Sequence, residues 1–458
     1  MTGTAPSLRH FVDLLTARED VVEIREPVSA EHEIAAHLAQ TDPGPAMLFT
    51  DVVGATMPVV GNVLGTLDRV ALALGSTVAE IQDRMMAAIL ADDPVVVVDE
   101  GPSQQVVRDA DLSALPIPTF FEHEGGPYIT AGVIIARDPV TGAANASFAR
   151  VRPLDATTAM VGIAPNHHLQ QMAERSPDGR LDIAVVIGAH PAVQLAACLY
   201  LALGDDELRH AQSLLGEPLR MVRATSIDVL VPAEAEIVLE GTLDIGTTVE
   251  EGPVSEYHGM YETYGRAATA RFTVMTTRRD PWFQAVLPGW HREHVYLGAI
   301  PIAAGLRAAI ARSIPTVGEV AVTEGGAGRL AAVIALRNPR PGQGKQVMMA
   351  AWGSLSMLKQ VTVVDDDIDV WDAVHVEWAR VTRCVVETDV VIVPSARTDR
   401  SEPLEVGGTV TKIGFDAVAD PRARPGGFVR AEPPAHVMEK VSTAGAPVLR
   451  ATSEGAGA

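Results

Sequence analysis

Hydrophobic positions recur along the chain with two different periods. Leu8, Phe11, Leu14 and Leu15 fall on one face of a helix that Ser7 can cap. Residues 21–24 read as a strand, 31–40 as a helix, 46–49 as a strand, and 67–74 and 78–90 as helices. This alternation predicts a small α/β unit. Residues 110–121, with Pro116 and Pro118, read as a linker. Beyond them the period shortens to two. Residues 128–137 and 144–151 predict a hairpin about the turn Asp138-Pro139-Val140-Thr141-Gly142. Further strands at 158–163, 183–187, 227–231, 236–245 and 270–277 predict an antiparallel sheet or barrel, interrupted by helices at 166–174, 191–203 and 206–215. From about Glu293 the α/β alternation returns. A helix runs to Arg312, strands cover 316–322 and 331–336, and a helix at 344–352, a strand at 360–364 and a helix at 370–381 follow. The tail from Pro421 is rich in Pro, Gly and Ala, so its end is predicted to be mobile. The fold class is therefore α/β (α+β), in three parts: an N-terminal α/β domain (1–112), a β-rich middle (113–292) and a C-terminal α/β domain (293–458).

Composition narrows the function classes. At roughly 150 residues per domain, 458 residues agree with three domains. A net charge of -22 with no basic run repels nucleic acid and anionic membranes. Cys198 and Cys384 lie far apart and form no CxxC, which points to a reducing, cytoplasmic setting and away from a thiolate zinc site. Residues 1–15 carry Asp13 and no apolar core, so no signal peptide is expected there. The most membrane-like run, 183–204, is broken by Gly188, His190-Pro191 and Gln194, and reads as a buried strand followed by a helix. Apolar helices such as 347–352 need cover, which predicts a homodimer or higher homo-oligomer.

The candidate chemistry centres on Glu251-Gly252-Pro253-Val254-Ser255-Glu256-Tyr257-His258-Gly259. The Gly-Pro pair makes this a turn, and a rigid turn can hold two carboxylates close together. Close carboxylates repel, so one pKa should rise until that group can donate a proton near neutral pH. Asn145-Ala146-Ser147-Phe148-Ala149-Arg150 lies on the return strand of the hairpin. Strict alternation puts Asn145 and Arg150 on opposite faces, so a shared site demands a twist or bulge between them. Asn166-His167 precedes a helix, and Glu207 opens another. Singly these read as a cap and an acidic first turn. Together, Asn145, His167 and Glu207 offer an amide oxygen, an imidazole and a carboxylate. That set suits Mn2+ or Mg2+ completed by water or phosphate oxygens, and is a poor set for zinc.

In this order, Asn145-x-Ser147-x-x-Arg150, Pro165-Asn166-His167, residues 236–241, Glu251-Gly252-Pro253-x-x-Glu256, residues 366–370 and Lys412 before Asp416-Ala417 resemble the UbiD-type decarboxylases that use prenylated FMN. The resemblance runs from Leu8 to about Val418. It implies a central split β-barrel that binds the flavin, with the C-terminal domain mediating oligomerisation. By the same resemblance Asn145, His167 and Glu207 bind the divalent metal that holds the flavin phosphate, and Lys412 pairs with that phosphate. Residues Asn145, Ala146, Ser147, Phe148, Ala149 and Arg150, with Asn166, line the cofactor, and K+ sits nearby. Arg150, Glu251 and Glu256 match the family's catalytic set. Arg150 would bind the substrate carboxylate and keep Glu251 ionised, and Glu256, its pKa raised by burial, would protonate the carbon that CO2 leaves. The implied substrate is an aromatic, heteroaromatic or α,β-unsaturated acid, with a flavin prenyltransferase as cofactor supplier. Val161, Ile163 and Tyr257 match substrate-facing positions, and Trp290, His291, Arg292 and His294 in the 288–294 loop could reach a polar ring or second carboxylate. The alternatives are a split-barrel flavin oxidoreductase, against which the two glutamates and the lack of a dinucleotide fingerprint speak, and a non-catalytic subunit, which should have lost motif residues.

Overall fold

The structure, a computed structural model, describes residues 5–419, 428 and 431–443. It divides into a unit spanning Met1–Val418 and a second, Ala419–Ala458, whose described helix is Ala435–Thr443. Apart from those few residues, the tail predicted to be mobile lies outside the described residues.

The N-terminal part forms as its periodicity demands. Helix α1 (Leu8–Thr16) buries Leu8, Phe11, Val12 and Leu15, and Ser7 caps it by accepting from the His10 amide. Strands β1 (Val21–Ile24), β2 (Ala46–Phe49) and β3 (Val59–Gly61) make a small sheet, with α2 (Glu33–Gln40), α3 (Leu67–Ala73) and α4 (Ile81–Leu90) around it. β4 (Val96–Val97) follows. Residues 110–121 are not a free linker. Leu112, Leu115, Ile117 and Phe120 are all buried, because the segment straps itself across the barrel while its prolines keep it out of any sheet.

The middle is a curled antiparallel sheet. Its strands are β5 (Val106–Asp109), β6 (Val133–Arg137), β7 (Ala144–Phe148), β8 (Arg150–Pro153), β9 (Thr158–Gly162), β10 (Arg180–Ile187), β13 (Ile237–Glu250) and β16 (Arg266–Thr277). The order is β7-β6-β10-β13-β16-β9-β8, with β5 also on β16. The two end strands, β7 and β8, are joined by a single residue, Ala149. A sheet whose opposite edges are one residue apart must roll up, so the chain closes a split barrel on itself. The expected single return strand 144–151 is thus two strands in different places, and the break supplies the change of face that Asn145 and Arg150 require. Helices α5 (His168–Arg175), α6 (Pro191–Ala196) and α7 (Glu207–Leu215) pack outside. The helix expected to reach residue 203 ends at Ala196 instead, and Cys198, Leu199, Tyr200 and Leu201 line a cleft. The hairpin strands β11 (Arg220–Arg223) and β12 (Leu230–Pro232) join β4; the pair β14 (Val254–Ser255) and β15 (Tyr261–Glu262) flanks the site; β17 (Phe283–Ala285) returns to β3.

In the C-terminal part α8 (Arg292–Ala311) leads into β18 (Val317–Val322), β19 (Ala331–Leu336), α9 (Gln343–Ser354), β20 (Gln360–Asp365), α10 (Ala373–Arg383), α11 (Val386–Asp389), β21 (Val390–Arg397) and β22 (Thr409–Ala417). The sheet order is β18-β19-β20-β22-β21. Successive residues of β19 are buried on opposite faces. Ala332, Ile334 and Leu336 join the core that holds Val347 and Met348 of α9, while Val333 and Ala335 join Val376 and Ala379 of α10. A strand covered on both faces reads as a continuous apolar run, as this one does. Sequence pattern missed the β21–β22 hairpin, because β21 is a largely exposed edge strand carrying Pro394 at a register shift. Helix α8 is long and apolar enough to cross a membrane, yet most of it is buried against β18, α4 and α9.

The buried histidines set an acid limit. Burial pushes His190 down to about 3 and His294 to about 4. In an unfolded chain both titrate near 6.5, so the unfolded state binds more protons below that pH. Stability is full above about pH 6.5 and is lost as pH falls towards 4. His190→Asn keeps an acceptor for the Ala192 amide, which the imidazole meets at 3.1 Å. The variant is expected to lose stability at neutral pH and to show a flatter decline of Tm between about pH 6 and 4, by on the order of a few kcal/mol. An unchanged acid limb would assign the loss to other groups.

Candidate active site

Arg150 opens β8, Glu251 follows the end of β13 and Glu256 follows β14. Between the two glutamates Gly252 takes φ +76°, the left-handed conformation that glycine adopts freely. The Glu251 amide donates to Gly265 O (2.9 Å) and the Glu256 amide to Met260 O (3.0 Å), so both backbones are fixed. Arg150 Nε donates to Glu251 Oε1 at 2.6 Å and Nη1 to Glu256 Oε1 at 3.2 Å. One guanidinium therefore holds both carboxylates. Burial works against its charge, but the facing Glu256 and Glu251 outweigh that, and the Arg150 pKa is raised. Its third nitrogen, Nη2, is buried without a hydrogen-bond partner. The Tyr128 hydroxyl likewise has no partner among the described residues, and Arg150, Tyr128 and Tyr264 all line one cavity of about 310 Å³. Burial pushes Tyr128 up to about 12, so its hydroxyl stays a donor.

Glycine permits this clasp. Gly162 of β9 is the register partner of Arg150. A Cβ there would lie 2.7 Å from Glu251 Oε1 and 2.8 Å from Arg150 Nε. Gly162→Ala is expected to force the pair apart and lower turnover about 100-fold, since an ångström of misplacement costs that much. Circular dichroism should be unchanged; wild-type turnover would show that the close pairing is dispensable.

A second lobe of about 410 Å³ shares Phe148, His167, Cys198, Arg329 and Met357 with the first. Asn145, Ala146, Ser147, Asn166 and Glu207 line it. Glu207 is 2% exposed and burial pushes its pKa up to about 8. Its carboxylate accepts from Asn145 Nδ2 (3.0 and 3.1 Å) and the Ala146 amide (2.9 Å). The nearest imidazole is that of His168, whose Nδ1 lies 4.0 Å from Glu207 and 3.1 Å from Asn145 Nδ2. His167 instead meets Phe148 O through Nε2 (3.2 Å) and caps its helix through Nδ1 (3.3 Å). Burial lowers His167 to about 4, so its ring is neutral. Among the described residues no three His, Cys, Asp or Glu side chains converge as a metal site, but an amide, a buried carboxylate and neutral imidazoles do meet here. A buried carboxylate with no cationic side chain in close contact fits a metal ion. Lys412 mirrors it. It is 2% exposed, has no carboxylate partner among the described residues, and donates to Ser356 O at 2.6 Å, on the wall of this lobe. Burial lowers its pKa to about 8, and a neighbouring anionic group would raise it again.

The other expected positions divide. Tyr257 lines the first lobe, whereas Val161 is in the core and Ile163 packs against it. Pro288 and His294 line the cavity, but the rest of that loop faces other partners: Trp290 Nε1 donates to Glu324 O (2.9 Å), Arg292 pairs with Glu324 (3.2 Å) and His291 with Asp42 (3.4 Å). Sequence reasoning missed Tyr128, Tyr264, Arg329 and Arg400, which also line the cavity. Tyr264 alone carried a signal, lying in the same segment as the two glutamates; the others arrive from distant elements.

Comparison with known proteins agrees with this architecture. Models of the 3-octaprenyl-4-hydroxybenzoate carboxy-lyase N-terminal, Rift-related and C-terminal domains match residues 12–89, 95–291 and 295–417. Anhydromevalonate phosphate decarboxylase of Methanothermobacter thermautotrophicus is 35% identical over 90% of this chain and 96% of its own. The UbiD-class enzyme HmfF of Pelotomaculum thermopropionicum, solved with FMN, superposes with a TM-score of 0.90 at 35% identity over 95% of this chain and 99% of its own. An evolved dimeric form of that enzyme, solved with prFMN, gives 0.88 at 34% identity over 96% and 100%. With three domain models in order along the chain and full-length relatives of like architecture, the chain belongs to the UbiD family and is a carboxy-lyase.

Proposed function

We propose that the protein catalyses reversible, non-oxidative decarboxylation of an aromatic, heteroaromatic or α,β-unsaturated acid with prenylated FMN. The observation that carries this reading is the Arg150 clasp at the cavity wall: two nitrogens spent on Glu251 and Glu256, and the third buried without a partner among the described residues. A buried donor without a partner costs free energy, and a substrate carboxylate satisfies it. Glu251 fixes the guanidinium. Glu256 delivers a proton to the carbon whose bond to the carboxyl group breaks, and takes one from that carbon in the reverse direction. When bound, the prenylated flavin supplies an acceptor for the electron pair that CO2 leaves behind. Asn145, Glu207 and His167, with His168 alongside, are the residues that would hold Mn2+ against the flavin phosphate, and Lys412 the phosphate itself. The stretch 145–150 with Asn166 would line the flavin, with K+ beside it. The reading is supported by the FMN and prFMN carried by HmfF and by the decarboxylases among the relatives. The same reading makes the working form a homo-oligomer.

The test is expression with and without a flavin prenyltransferase, followed by absorption spectroscopy, bound-metal analysis and a screen of carboxylic acids for CO2 release. A prenylated-flavin spectrum, stoichiometric Mn2+ and CO2 release only after co-expression are expected. Colourless, metal-free and inactive protein after co-expression would sink the proposal.

A further inference from the structure

Two more arginines stand in the catalytic lobe without an anion. Arg400 lies in the connection between β21 and β22, with its Cζ 4.3 Å from the centroid of the Tyr264 ring. Arg150 Cζ lies 5.1 Å from the same centroid. Arg329 lies 5.4 Å from the ring of Tyr257, whose hydroxyl donates to Ser401 O (3.2 Å), the residue after Arg400. Both arginines line the cavity, and neither makes an ion pair among the described residues. The two other carboxylates of the lining are engaged elsewhere: Glu124 by Ser255 and the Phe121 amide, and Asp399 by the Ser401 amide (3.0 Å) and hydroxyl (2.8 Å). His294, which also lines the cavity, adds no charge near neutral pH, since burial holds it at about 4. Stacking on tyrosine satisfies the face of a guanidinium and not its N–H donors; Arg329 spends one of these on Gly328 O (3.2 Å).

We propose that Arg400, backed by Arg329, binds a second anionic group of the substrate, so that the enzyme prefers compact acids carrying two anions. The first anion, the carboxylate that is lost, sits at Arg150 by the reading above; the second, a carboxylate or a phosphate, sits at Arg400. Both guanidiniums lie against one tyrosine ring, so the two groups are separated by a short carbon skeleton and not a long chain. Each charge-assisted hydrogen bond strengthens binding by roughly tenfold to a hundredfold over a neutral substituent. Arg400 is a specificity-determining residue and takes no part in bond breaking.

The test separates this inference from the decarboxylase reading by measuring binding without turnover. Crotonate, glutaconate and 4-phosphonooxycrotonate are titrated by calorimetry into enzyme loaded with unmodified FMN. Either dianion is expected to bind roughly tenfold to a hundredfold tighter than crotonate, and whichever of the two binds tighter identifies the second group as carboxylate or phosphate. Arg400→Gln is expected to erase that preference and leave crotonate affinity unchanged, while Arg400→Lys restores part of it. Equal affinity for all three acids, or an equal loss for all three in Arg400→Gln, overturns the subsite. Binding of none of the acids overturns it together with the acid-binding reading. Selective binding of a dianion without CO2 release from prenylated enzyme leaves the subsite standing and overturns only the chemistry.

Discussion

Glu256→Gln is expected to keep its fold and its flavin binding while losing turnover by roughly 100- to 10,000-fold, the range contributed by a positioned general acid, the role proposed above for Glu256. The side chain is near isosteric, so the packing around it survives. The amide still accepts from Arg150 Nη1, which meets the carboxylate at 3.2 Å in the parent. What disappears is a proton that can be given and taken back. The loss should fall on kcat, with KM little changed, because Arg150 retains its free Nη2 for the substrate. Exchange of substrate hydrogen with deuterated solvent at the carbon concerned should vanish in parallel. A Glu256→Gln enzyme within threefold of wild type would move the proton donor elsewhere, with Tyr264 the next candidate by position.

The second large effect concerns stability. Glu236 is fully buried at the start of β13. Its carboxylate accepts from Arg9 through Nε (2.8 Å) and Nη2 (2.9 Å), from the Trp282 amide (2.9 Å), and lies 3.3 Å from Arg278 Nε. It therefore ties α1 to the barrel and to the segment that returns to β3. Glu236→Ala removes the carboxylate partner of Arg9 and the acceptor of the Trp282 amide, and leaves Arg278 with Glu234 alone. Breaking a buried pair from one side costs about 3 to 5 kcal/mol, and the lower figure applies because Arg9 partly reaches water. The urea midpoint should fall accordingly, and limited proteolysis should cut first near α1. Glu236→Gln, which keeps one acceptor, should recover part of the loss. An unchanged midpoint in Glu236→Ala would show that the cluster adds nothing to stability.

The elements easiest to read from sequence were those with one strong period or an unbroken apolar run. The cap at Ser7, strand Val21–Ile24 and strand Ala331–Leu336 fall where their residues place them. The rolled sheet was legible only as many short strands, because nothing in residues 144–151 marks Ala149 as the point where the chain leaves one edge for the other. Edge strand β21 was invisible for the opposite reason: half-exposed strands carry little hydrophobic pattern. At the site, Arg150, Glu251 and Glu256 were legible because a short motif fixes them, and the structure brings them together. Arg329 and Arg400 were not, since an isolated arginine in a loop has no sequence signature and gains meaning only from what it faces. The same holds for the paired histidines: the sequence presents His167 and His168 as neighbours, and only the turn of the helix start decides that His168 lies against Glu207.

Ala149 also limits how this scaffold can change length. The strand before it carries Asn145 and the strand after it carries Arg150, so an inserted or deleted residue would turn one strand over relative to the other and send every side chain beyond it to the opposite face. Arg150 would then point away from the cavity however well its neighbours were preserved. The hairpin turn at 138–142 carries no such constraint, being exposed along most of its length and bonded mainly to itself. Insertions engineered into this barrel should therefore be tolerated at the tip of that hairpin and lethal at its seam, eight residues apart by the shortest count from Thr141.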